Sequence, residues 1–477
     1  MKKMNYKKLF CYGYVLLVTC IVPFITFNKY FDLTQSKGMS FIVGSVILLV
    51  FYLIASGNNE SNTRKIKLSL IEKACILLTF SAFISMVFAR PIARAIWGDT
   101  GTYMGLFSFV LGLITLLILV RCDVDFKPLI KPIIGINIAL FSLTIAHACG
   151  VDILHLHQGI ASQQYYDYLG TMGNVNWNVG YLSMMFILTF YHYITNDSKD
   201  NYVYFIYLVI LCINIHLVHS DAIYLALACG ALFLIPYVCK KRSYILKTLM
   251  IIIVYGIAGL IMNLSPFDSF RANISGISTM MLRPSILLTI LIITSMLFAY
   301  IYHSKQTNYR WLCIGLEVIV MSALLWVIFD FVSSYLSYNY YWGNNRLNTW
   351  VKSLFYYKHY YTMMNQLFGV GPDMLYYVYD ELSVAYGATL INAHNCFIQV
   401  LLSLGIIGLL AFAGLLVSVI YTVYKKGLYG KPYFSYFVAL VAFFGQSLVN
   451  NCNGNNIGLL IVVFALLIKS LSNTKEV

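Results

Sequence analysis

The sequence has 477 residues, of which 60% are hydrophobic and only 10% charged, and its formal net charge is +14. Soluble domains are about 45–50% apolar and about 25% charged, so this composition excludes a chain of soluble domains, a disordered chain and a coiled coil. It predicts an all-α polytopic membrane protein.

Apolar runs long enough to cross a bilayer recur along the whole chain. A helical span needs about 17–25 apolar residues, and by this criterion we predict about 12–14 transmembrane helices. The basic N-terminus precedes the first run and no small-residue cleavage site follows, which favours a retained first span over a secretory signal. The candidate spans begin near Leu9, Met39, Leu70, Leu106, Pro128, Asn178, Tyr202, Ala222, Thr248, Ser285, Trp311, Phe397, Tyr433 and Ile457.

The positive charge is distributed unevenly between the connections. Most lysines and arginines fall in alternate connections, such as Lys240, Lys241 and Arg242, on the same side as the basic N-terminus. Because cytoplasmic loops are enriched in Lys and Arg, we predict a multi-pass protein of the cell (plasma or inner) membrane with both termini in the cytoplasm. This topology explains the net charge, so no nucleic-acid partner is expected.

The cysteines and histidines do not form a recognisable metal or redox motif. The eleven cysteines lack C-x-x-C spacing, and most lie inside apolar runs. Cys149, Cys396 and Cys452 fall near the outer face, where a disulfide can form. His155 and His157 lack the rest of a metal site, and there is no Walker A loop. We therefore expect no metal and no cofactor, and an ATP-driven pump is excluded.

The longest segment between spans, residues 332–393, separates N-terminal transmembrane helices (1–331) from C-terminal ones (394–477). It holds 12 of the 39 tyrosines, which suit either an interfacial aromatic belt or contact with a sugar or lipid headgroup. An apolar stripe from Arg346 to Phe368 predicts an amphipathic helix on the outer membrane face. The Gly-Val-Gly-Pro sequence that starts at Gly369 should end it.

Several short motifs appear in the order found in one family. His394-Asn395 is followed after nine residues by Gly405-Ile406-Ile407-Gly408. The other motifs are Trp97-Gly98-Asp99 with Gly105-Leu106, Gly173-Asn174-Val175-Asn176, Trp342-Gly343-Asn344-Asn345-Arg346 with Trp350, and Leu367-Phe368-Gly369-Val370-Gly371-Pro372-Asp373. Together they resemble the core of the O-antigen ligase and O-antigen polymerase superfamily of bacterial membrane glycan enzymes, whose histidine–glycine pattern is similar to residues 394–408.

The resemblance implies a metal-independent GT-C-type membrane glycosyltransferase. Such an enzyme transfers a glycan from an undecaprenyl-diphosphate-linked donor to a glycan, lipid or protein acceptor at the extracytoplasmic face. One position departs from the pattern, because Ser220-Asp221 stands where many members carry Ser-Arg. The motifs do not separate an O-antigen ligase-like enzyme from a polysaccharide chain polymerase.

A lipid diphosphate donor without a metal requires cationic side chains. Arginine is planar, always charged and bidentate toward phosphate, so Arg346 is the first candidate and Arg283 and Arg94 come next. His394 stands at the start of an apolar run near the outer boundary, where imidazole can accept the proton of an attacking hydroxyl. We predict Arg346 and His394 as the catalytic pair.

Five further residues are predicted to bind substrate, and three of them have a structural alternative. Asn395 can orient the imidazole or an acceptor hydroxyl, and Asp221 is an alternative base. Asn174 and Asn176 can bind sugar hydroxyls or cap a helix, whereas Asp373 can instead be a turn residue. The remaining substrate-binding candidate is Trp350.

The alternative class is a transporter (flippase) of polysaccharide or lipid-linked sugar. A transporter would place charges in several spans around a central cavity and show related halves. The sequence has few charges in mid-span and no evident internal repeat, which favours the enzyme.

Overall fold

The computed structural model describes residues 6–57, 67–122, 125–274, 276–304, 308–386 and 392–474. The predicted cytoplasmic termini extend beyond these ranges. Residues 332–393, which are predicted to lie on the outer side and are called the outer segment, are described except for 387–391. The described chain is helical almost throughout, which confirms the all-α class.

Ten helices form the first part of the chain. Helix α1 continues through a π turn (Leu17–Ile21) and a 3-10 turn (Val22–Phe24). The only pairing of described strands joins β1 (Tyr168–Leu169) to β2 (Gly173–Asn174) in antiparallel register, directly before α7. Helices α1 to α10 are Tyr6–Leu16, Leu33–Gly57, Leu70–Met86, Ile92–Trp97, Leu106–Arg121, Ile130–Ala148, Val175–Thr195, Asn201–Leu217, Asp221–Val238 and Arg242–Ile261.

Ten more helices follow. Short 3-10 turns at Lys127–Leu129, Ser162–Asp167 and Ser265–Phe267 precede α6, β1 and α11. Helices α11 to α20 are Asp268–Arg271, Gly276–Met281, Pro284–His303, Arg310–Leu336, Trp342–His359, Met363–Phe368, Leu375–Tyr386, Cys396–Lys426, Phe434–Gln446 and Gly454–Ser472.

Within the described ranges, nine helical segments are long and apolar enough to cross a membrane, and α5, α8 and α19 are shorter apolar helices. Every predicted span start lies in a helical segment, except Tyr433, which directly precedes α19. These helices confirm a polytopic membrane protein. The nine segments are Tyr6–Phe24, Leu33–Ser56, Lys127–Ala148, Asp221–Val238, Arg242–Ile261, Pro284–His303, Arg310–Leu336, Cys396–Lys426 and Gly454–Ser472.

The helices differ in how deeply they are buried. Most of the apolar stretch of α20 is buried against other helices. Little of that of α13 is buried, and none of that of α14 is. Apolar side chains on α14, such as Phe329, are exposed. In a membrane protein an exposed apolar face suits contact with lipid, so α13 and α14 lie at the periphery of the bundle.

Consecutive spans run in opposite directions, so the segments that connect them lie at the two ends of the bundle. Segments at the same end contact one another, which gives two groups. In one group Lys131 forms an ion pair with Asp200 at 2.7 Å. In the other the Tyr30 hydroxyl donates to the Gly170 carbonyl at 2.9 Å. The lysine-rich connections belong to the first group, and the predicted site residues belong to connections of the second.

The outer segment differs from its prediction in three ways. Helix α14 continues to Leu336, so the predicted boundary at 331/332 lies inside it. The single amphipathic helix predicted over 346–368 is wrong, because α15 ends at His359 and a separate α16 begins at Met363. The Thr362 hydroxyl caps α16 by accepting the Asn365 N–H at 3.2 Å. Helix α17 then follows the predicted stop at Gly369.

Two glycines allow the outer segment to touch the backbone of α18. Gly405 has φ 68° and interrupts α18, so the predicted continuous span is kinked there. A Cβ atom on Gly405 would lie 2.3 Å from the Leu367 carbonyl oxygen, and one on Gly369 would lie 2.1 Å from that of Ser403. Only glycine fits such an approach. The contact fixes α16 against the first part of α18, which begins beside His394.

Candidate functional site

Arg346 is presented by an unusual turn. Gly343, Asn344 and Asn345 have φ values of 63°, 57° and 69°, which is the left-handed region that glycine and asparagine tolerate best. Regular helical geometry in α15 therefore starts at Arg346, whose Nη1 donates to the Gly343 carbonyl at 3.1 Å. The turn sets the direction of the guanidinium.

The Arg346 guanidinium keeps most of its donors available. Arginine has five N–H donors, and its buried Nε has no hydrogen-bond partner among the described residues. Burial lowers the pKa of Arg346, and the nearby Asp221 carboxylate opposes that effect. Arg346 remains a cation with donors free for an anionic group.

His394 lies within electrostatic range of Arg346, the other residue of the predicted pair. Burial lowers the pKa of His394 to about 4, and the charge of Arg346 adds to the effect. The backbone has φ 46°, and its N–H donates to Asn392 Oδ1 at 3.0 Å. Neither ring nitrogen is hydrogen-bonded to a described residue. At neutral pH the imidazole is therefore uncharged and able to accept a proton.

Trp350 fixes the chain next to His394. Its Nε1 donates to the Ala393 carbonyl at 2.9 Å, and its ring centroid lies 5.9 Å from that of Trp342 and 5.8 Å from that of Phe331. This bond joins α15, which carries Arg346, to the residue before His394. Trp350 is thus placed as a positioning residue for the pair.

Asn395 is engaged at both ends of its side chain. Its Oδ1 accepts the N–H groups of Phe397 and Ile398 at 2.8 and 3.1 Å and caps α18. Its Nδ2 donates to the Leu448 carbonyl at 2.7 Å. Asn395 therefore anchors the segment that holds His394, and the second N–H of its Nδ2 is what remains for the predicted contact with an acceptor hydroxyl.

The two predicted asparagines at the start of α7 have different surroundings. Asn174 caps α7, since its Oδ1 accepts the Asn176 N–H at 3.0 Å. Asn176 Oδ1 accepts the Ser220 hydroxyl at 2.6 Å, and Ser220 directly precedes Asp221. Asn176 is thus connected to the acidic neighbour of Arg346, and Asn174 fits the helix-capping alternative.

Two asparagines that sequence reasoning missed complete the site. Asn450 Nδ2 donates to the Asn176 carbonyl at 3.3 Å, and Asn451 Oδ1 accepts the Asn395 N–H at 3.2 Å. The signal was present as five asparagines between 450 and 456, directly before the last span. We call these residues the ring: hydrogen bonds and chain adjacency link Asp221, Ser220, Asn176, Asn450, Asn451, Asn395 and His394, and the charge of Arg346 acts on both Asp221 and His394.

A disulfide joins two sides of this ring. Cys396 and Cys452 are bonded with their Cα atoms 5.4 Å apart, which realises the pairing that the sequence left open. The Gln399 amide adds two hydrogen bonds of 3.0 Å to the backbone of Cys452. These links hold Asn450 and Asn451 beside His394.

Several buried amide atoms near the ring lack partners. Among the described residues, Asn450 Oδ1, Asn453 Nδ2, Asn455 Oδ1 and Asn456 Oδ1 have no hydrogen bond. Buried polar groups are normally satisfied, so unpaired ones indicate that water or a ligand completes them. Amides of this kind suit a ligand rich in hydroxyl groups.

Asp373 lies in a second, structural cluster. Its Oδ2 accepts the N–H groups of Asp99 and Met104 at 2.6 and 2.8 Å, and its Oδ1 accepts the Thr102 hydroxyl. Burial raises the pKa of Asp373 to about 6, against the effect of these bonds. Both oxygens are therefore used to join the 97–105 motif to the 369–373 motif, as the turn-residue alternative requires.

The other two predicted arginines are not part of the ring. Arg94 forms an ion pair with Asp99 and lies 4.7 Å from the ring centroid of Tyr376 and 5.2 Å from that of Tyr377. Arg283 is exposed at the start of α13, and its side chain makes no hydrogen bond or ion pair with a described residue. The structure therefore groups neither with Arg346.

A cavity of about 560 Å³ opens at the opposite end of the bundle. Lys127, His192 and Lys469 contribute to its lining, together with mostly apolar side chains. None of the predicted site residues lines it. The predicted chemistry and this cavity therefore belong to different ends of the molecule.

Comparison with known proteins gives no family assignment. No protein-family model matches the chain, and no curated protein matches it. The chemistry has to be argued from the site itself, which combines a cation with free donors, an uncharged imidazole and a surrounding set of amides.

Proposed function

We propose that the protein is a GT-C-type membrane glycosyltransferase that transfers a glycan from an undecaprenyl-diphosphate-linked donor to an acceptor at the extracytoplasmic face. The resemblance of its motifs to the O-antigen ligase and polymerase superfamily implies this reaction. The observation that carries the proposal is that Arg346 lies near enough to His394 for its charge to lower the pKa of the imidazole. A cation with unused donors suits a diphosphate, and an uncharged imidazole suits an attacking hydroxyl.

The proposed reaction needs only these groups and the two substrates. The acceptor hydroxyl attacks the anomeric carbon, a new C–O bond forms, and the bond from that carbon to the diphosphate oxygen breaks. His394 takes the hydroxyl proton, and the lipid diphosphate leaves with the electron pair while Arg346 stabilises its charge. Attack from the side opposite the leaving group inverts the anomeric centre.

Two observations support an extracytoplasmic site. The Cys396–Cys452 disulfide lies two residues from His394, and disulfides persist in oxidising compartments. The lysine-rich connections lie at the other end of the bundle, as expected for the cytoplasmic side. We propose with it that both termini lie in the cytoplasm, as the distribution of basic residues predicts.

Asp221 is proposed as a positioning residue for Arg346. Its Oδ1 accepts the Ile277 N–H at 3.0 Å, which holds the start of α9 against α12. The carboxylate is close enough to Arg346 to affect the guanidinium pKa. It stands where the superfamily pattern has an arginine, so the ring has one cation fewer, and Arg346 becomes the principal diphosphate ligand.

Purified variants test the assignment. We expect His394→Ala to reduce glycan transfer by about 10²–10⁴-fold through loss of the base. Arg346→Ala should cost about 10²–10³-fold, and Arg346→Lys should restore only part of the rate, because lysine keeps the charge but not the bidentate geometry. The assay follows transfer from a lipid-diphosphate glycan in detergent or proteoliposomes.

Matched controls are exposed residues of the same types, His359→Ala and Arg90→Ala, which should retain wild-type transfer. Full transfer by His394→Ala protein would remove the catalytic assignment. Incubation with donor alone separates the two enzyme types, since a polymerase lengthens its own donor glycan and a ligase requires a separate acceptor. Movement of labelled donor across the bilayer without any product would instead indicate the transporter.

A further inference from the structure

A second cluster of polar side chains lies outside the proposed catalytic ring. His147, Asp152 and His157 place one potential ligand atom each within 4.8 Å of one another. His157 was predicted to lack the rest of a metal site, and the structure places two further potential ligands beside it. None of the three side chains shares a hydrogen bond or ion pair with Arg346 or His394 among the described residues.

The chain turns sharply to bring the three residues together. His147 lies in the last turn of α6, and Gly150 and His155 reverse the chain with φ values of 78° and 51°. Asp152 Oδ1 and Oδ2 accept the N–H groups of Leu156 and His157 at 2.9 and 2.8 Å. These bonds hold the carboxylate between the two imidazoles. The C-terminal end of α6 adds a negative dipole, which favours a cation.

The hydrogen bonds of the His157 ring determine which of its two nitrogens carries the hydrogen and which has a free lone pair. Its Nε2 lies 2.9 Å from the carbonyl oxygens of both Tyr165 and Tyr168. Carbonyls only accept, so the neutral ring carries its hydrogen on Nε2 and leaves a lone pair on Nδ1. That Nδ1 lies 3.4 Å from Asp152 Oδ2. A histidine whose far N–H donates to backbone while the other nitrogen faces a carboxylate is typical of a metal ligand.

His147 contributes an independent observation. Its side chain is 0% exposed, and its Nε2 lies 3.2 Å from Asp152 Oδ1 yet has no hydrogen-bond partner among the described residues. The other nitrogen, Nδ1, accepts the Gly170 N–H at 3.2 Å and lies 3.0 Å from the Tyr30 hydroxyl, so the neutral ring carries its hydrogen on Nε2. Ligation through Nε2 requires that hydrogen to move to Nδ1 or to be released. A fully buried and unsatisfied nitrogen therefore points into the cluster.

We propose that His147, Asp152 and His157 bind a divalent transition-metal cation of the Zn²⁺ class. Zn²⁺ prefers imidazole and carboxylate ligands at about 2.0–2.1 Å, and atoms around such a tetrahedral ion lie about 3.3 Å apart. The two nitrogen–oxygen distances, 3.2 Å to Oδ1 and 3.4 Å to Oδ2, are close to that spacing, and one ligand atom from each of the three residues lies within 4.8 Å of the others. A water molecule is the natural fourth ligand.

The position of the site indicates a structural role. His157 is bonded to the Tyr168 carbonyl, and Tyr168 pairs with Asn174 between β1 and β2. A bound cation would therefore connect the end of α6 to the short hairpin that leads into α7. This role is independent of the proposed glycan transfer.

Metal binding is tested on the full-length protein carrying no polyhistidine tag. The protein is treated with chelator, incubated with Zn²⁺ and freed of excess metal, and its metal content is measured by mass spectrometry. We expect about one Zn²⁺ per chain for wild type and for the control His155→Asn, whose exposed side chain lies in the same loop. Asp152→Asn and His157→Gln should fall to the buffer level.

Thermal unfolding gives a second readout, in which the melting temperature of the same protein is compared with and without Zn²⁺. A cation that binds only the folded state raises the melting temperature, so Zn²⁺ should raise that of chelated wild type and His155→Asn, whereas Mg²⁺ should not. Wild-type protein that binds no more Zn²⁺ than Asp152→Asn, or that melts at the same temperature with and without Zn²⁺, would overturn the proposal. Such a result would mean that hydrogen bonds, and not a cation, hold the three side chains together.

Discussion

His394 occupies a left-handed backbone conformation beside a cation. That conformation costs an L-residue roughly 1–2 kcal/mol, so surrounding contacts must hold it. The Asn392 side chain, the Asn395 cap and the Trp350 bond to the Ala393 carbonyl supply them. A strained residue that several neighbours hold in place is typical of a functional position.

The lowered pKa of His394 predicts the pH dependence of glycan transfer. The imidazole must be uncharged to accept a proton, and its pKa is about 4 in the folded protein. Transfer should therefore persist at pH 5 and fall only as the pH drops through about 4. The measurement is kcat/KM against pH for wild type and Arg346→Lys, whose retained cation should leave the acid limb in place. An acid limb near the ordinary histidine value of about 6.5 would contradict this.

Asp373 predicts a different effect, on stability. Asp373→Ala leaves the Asp99 and Met104 N–H groups and the Thr102 hydroxyl without their acceptor, and should lower the free energy of unfolding by about 3 kcal/mol or more. Asp373→Asn keeps one oxygen for the two N–H groups and should cost much less. Thermal unfolding of the two variants at neutral pH compares them, and equal losses would contradict the anchoring role.

The same carboxyl also makes the stability of the protein depend on pH in a defined direction. Its folded pKa of about 6 lies above the ordinary value of 3.8, so the folded state binds the proton more tightly. The proton-linked part of the stability that Asp373 supplies is therefore complete below about pH 4 and is lost as the pH rises through 6, whereas its hydrogen bonds contribute at neutral pH as well. Asp373→Asn should lack this component, which the difference between the two pH–melting curves would reveal.

At the scale of elements, the spans could be predicted from sequence and the helix breaks could not. Length and apolarity are local properties, so the predicted starts coincide with helices. The breaks at Tyr360–Thr362 and Gly405 depend on contacts between distant segments, which hydropathy does not report. The apolar stripe continued across the first break and concealed it, although Thr362 is a recognisable cap.

Gly405 provides the test at this scale. An alanine there would have a strained φ and would meet the Leu367 carbonyl, so Gly405→Ala should lower both the melting temperature and glycan transfer. Gly414 in the same helix has open space around its Cα, and Gly414→Ala should be neutral or stabilise by up to about 1 kcal/mol. Equal behaviour of the two variants would show that the kink is dispensable.

For the whole molecule, motif residues were predictable and their roles were not. Arg346 and His394 were identified by type and position, and the charge of Arg346 acts on His394. Asn395 and Asp373 were expected to contact substrate. Their polar side-chain atoms are instead hydrogen-bonded to segments far away in the chain, at Leu448 and Asp99. Asn450 and Asn451 were missed because an asparagine cluster has no pattern specific to one chemistry.

The orientation of the molecule can be measured directly. Arg283 and Lys199 are exposed and lie at opposite ends of the bundle. With a membrane-impermeant maleimide on intact cells, Arg283→Cys should be labelled, whereas Lys199→Cys should react only after permeabilisation. Blocking of the free native cysteines and the unsubstituted chain provide the background. The reverse pattern would place the proposed site in the cytoplasm and contradict the donor assignment.

The disulfide also has a consequence for biosynthesis. The ring draws on residues from Asn176 to Asn451, and in the proposed extracytoplasmic orientation Cys396 cannot pair until residue 452 has crossed the membrane. A nascent chain stalled before that point would present His394 without the asparagines that surround it. Oxidation of this one pair therefore coincides with completion of the site, and the redox state of Cys396 in newly made protein reports whether insertion has finished.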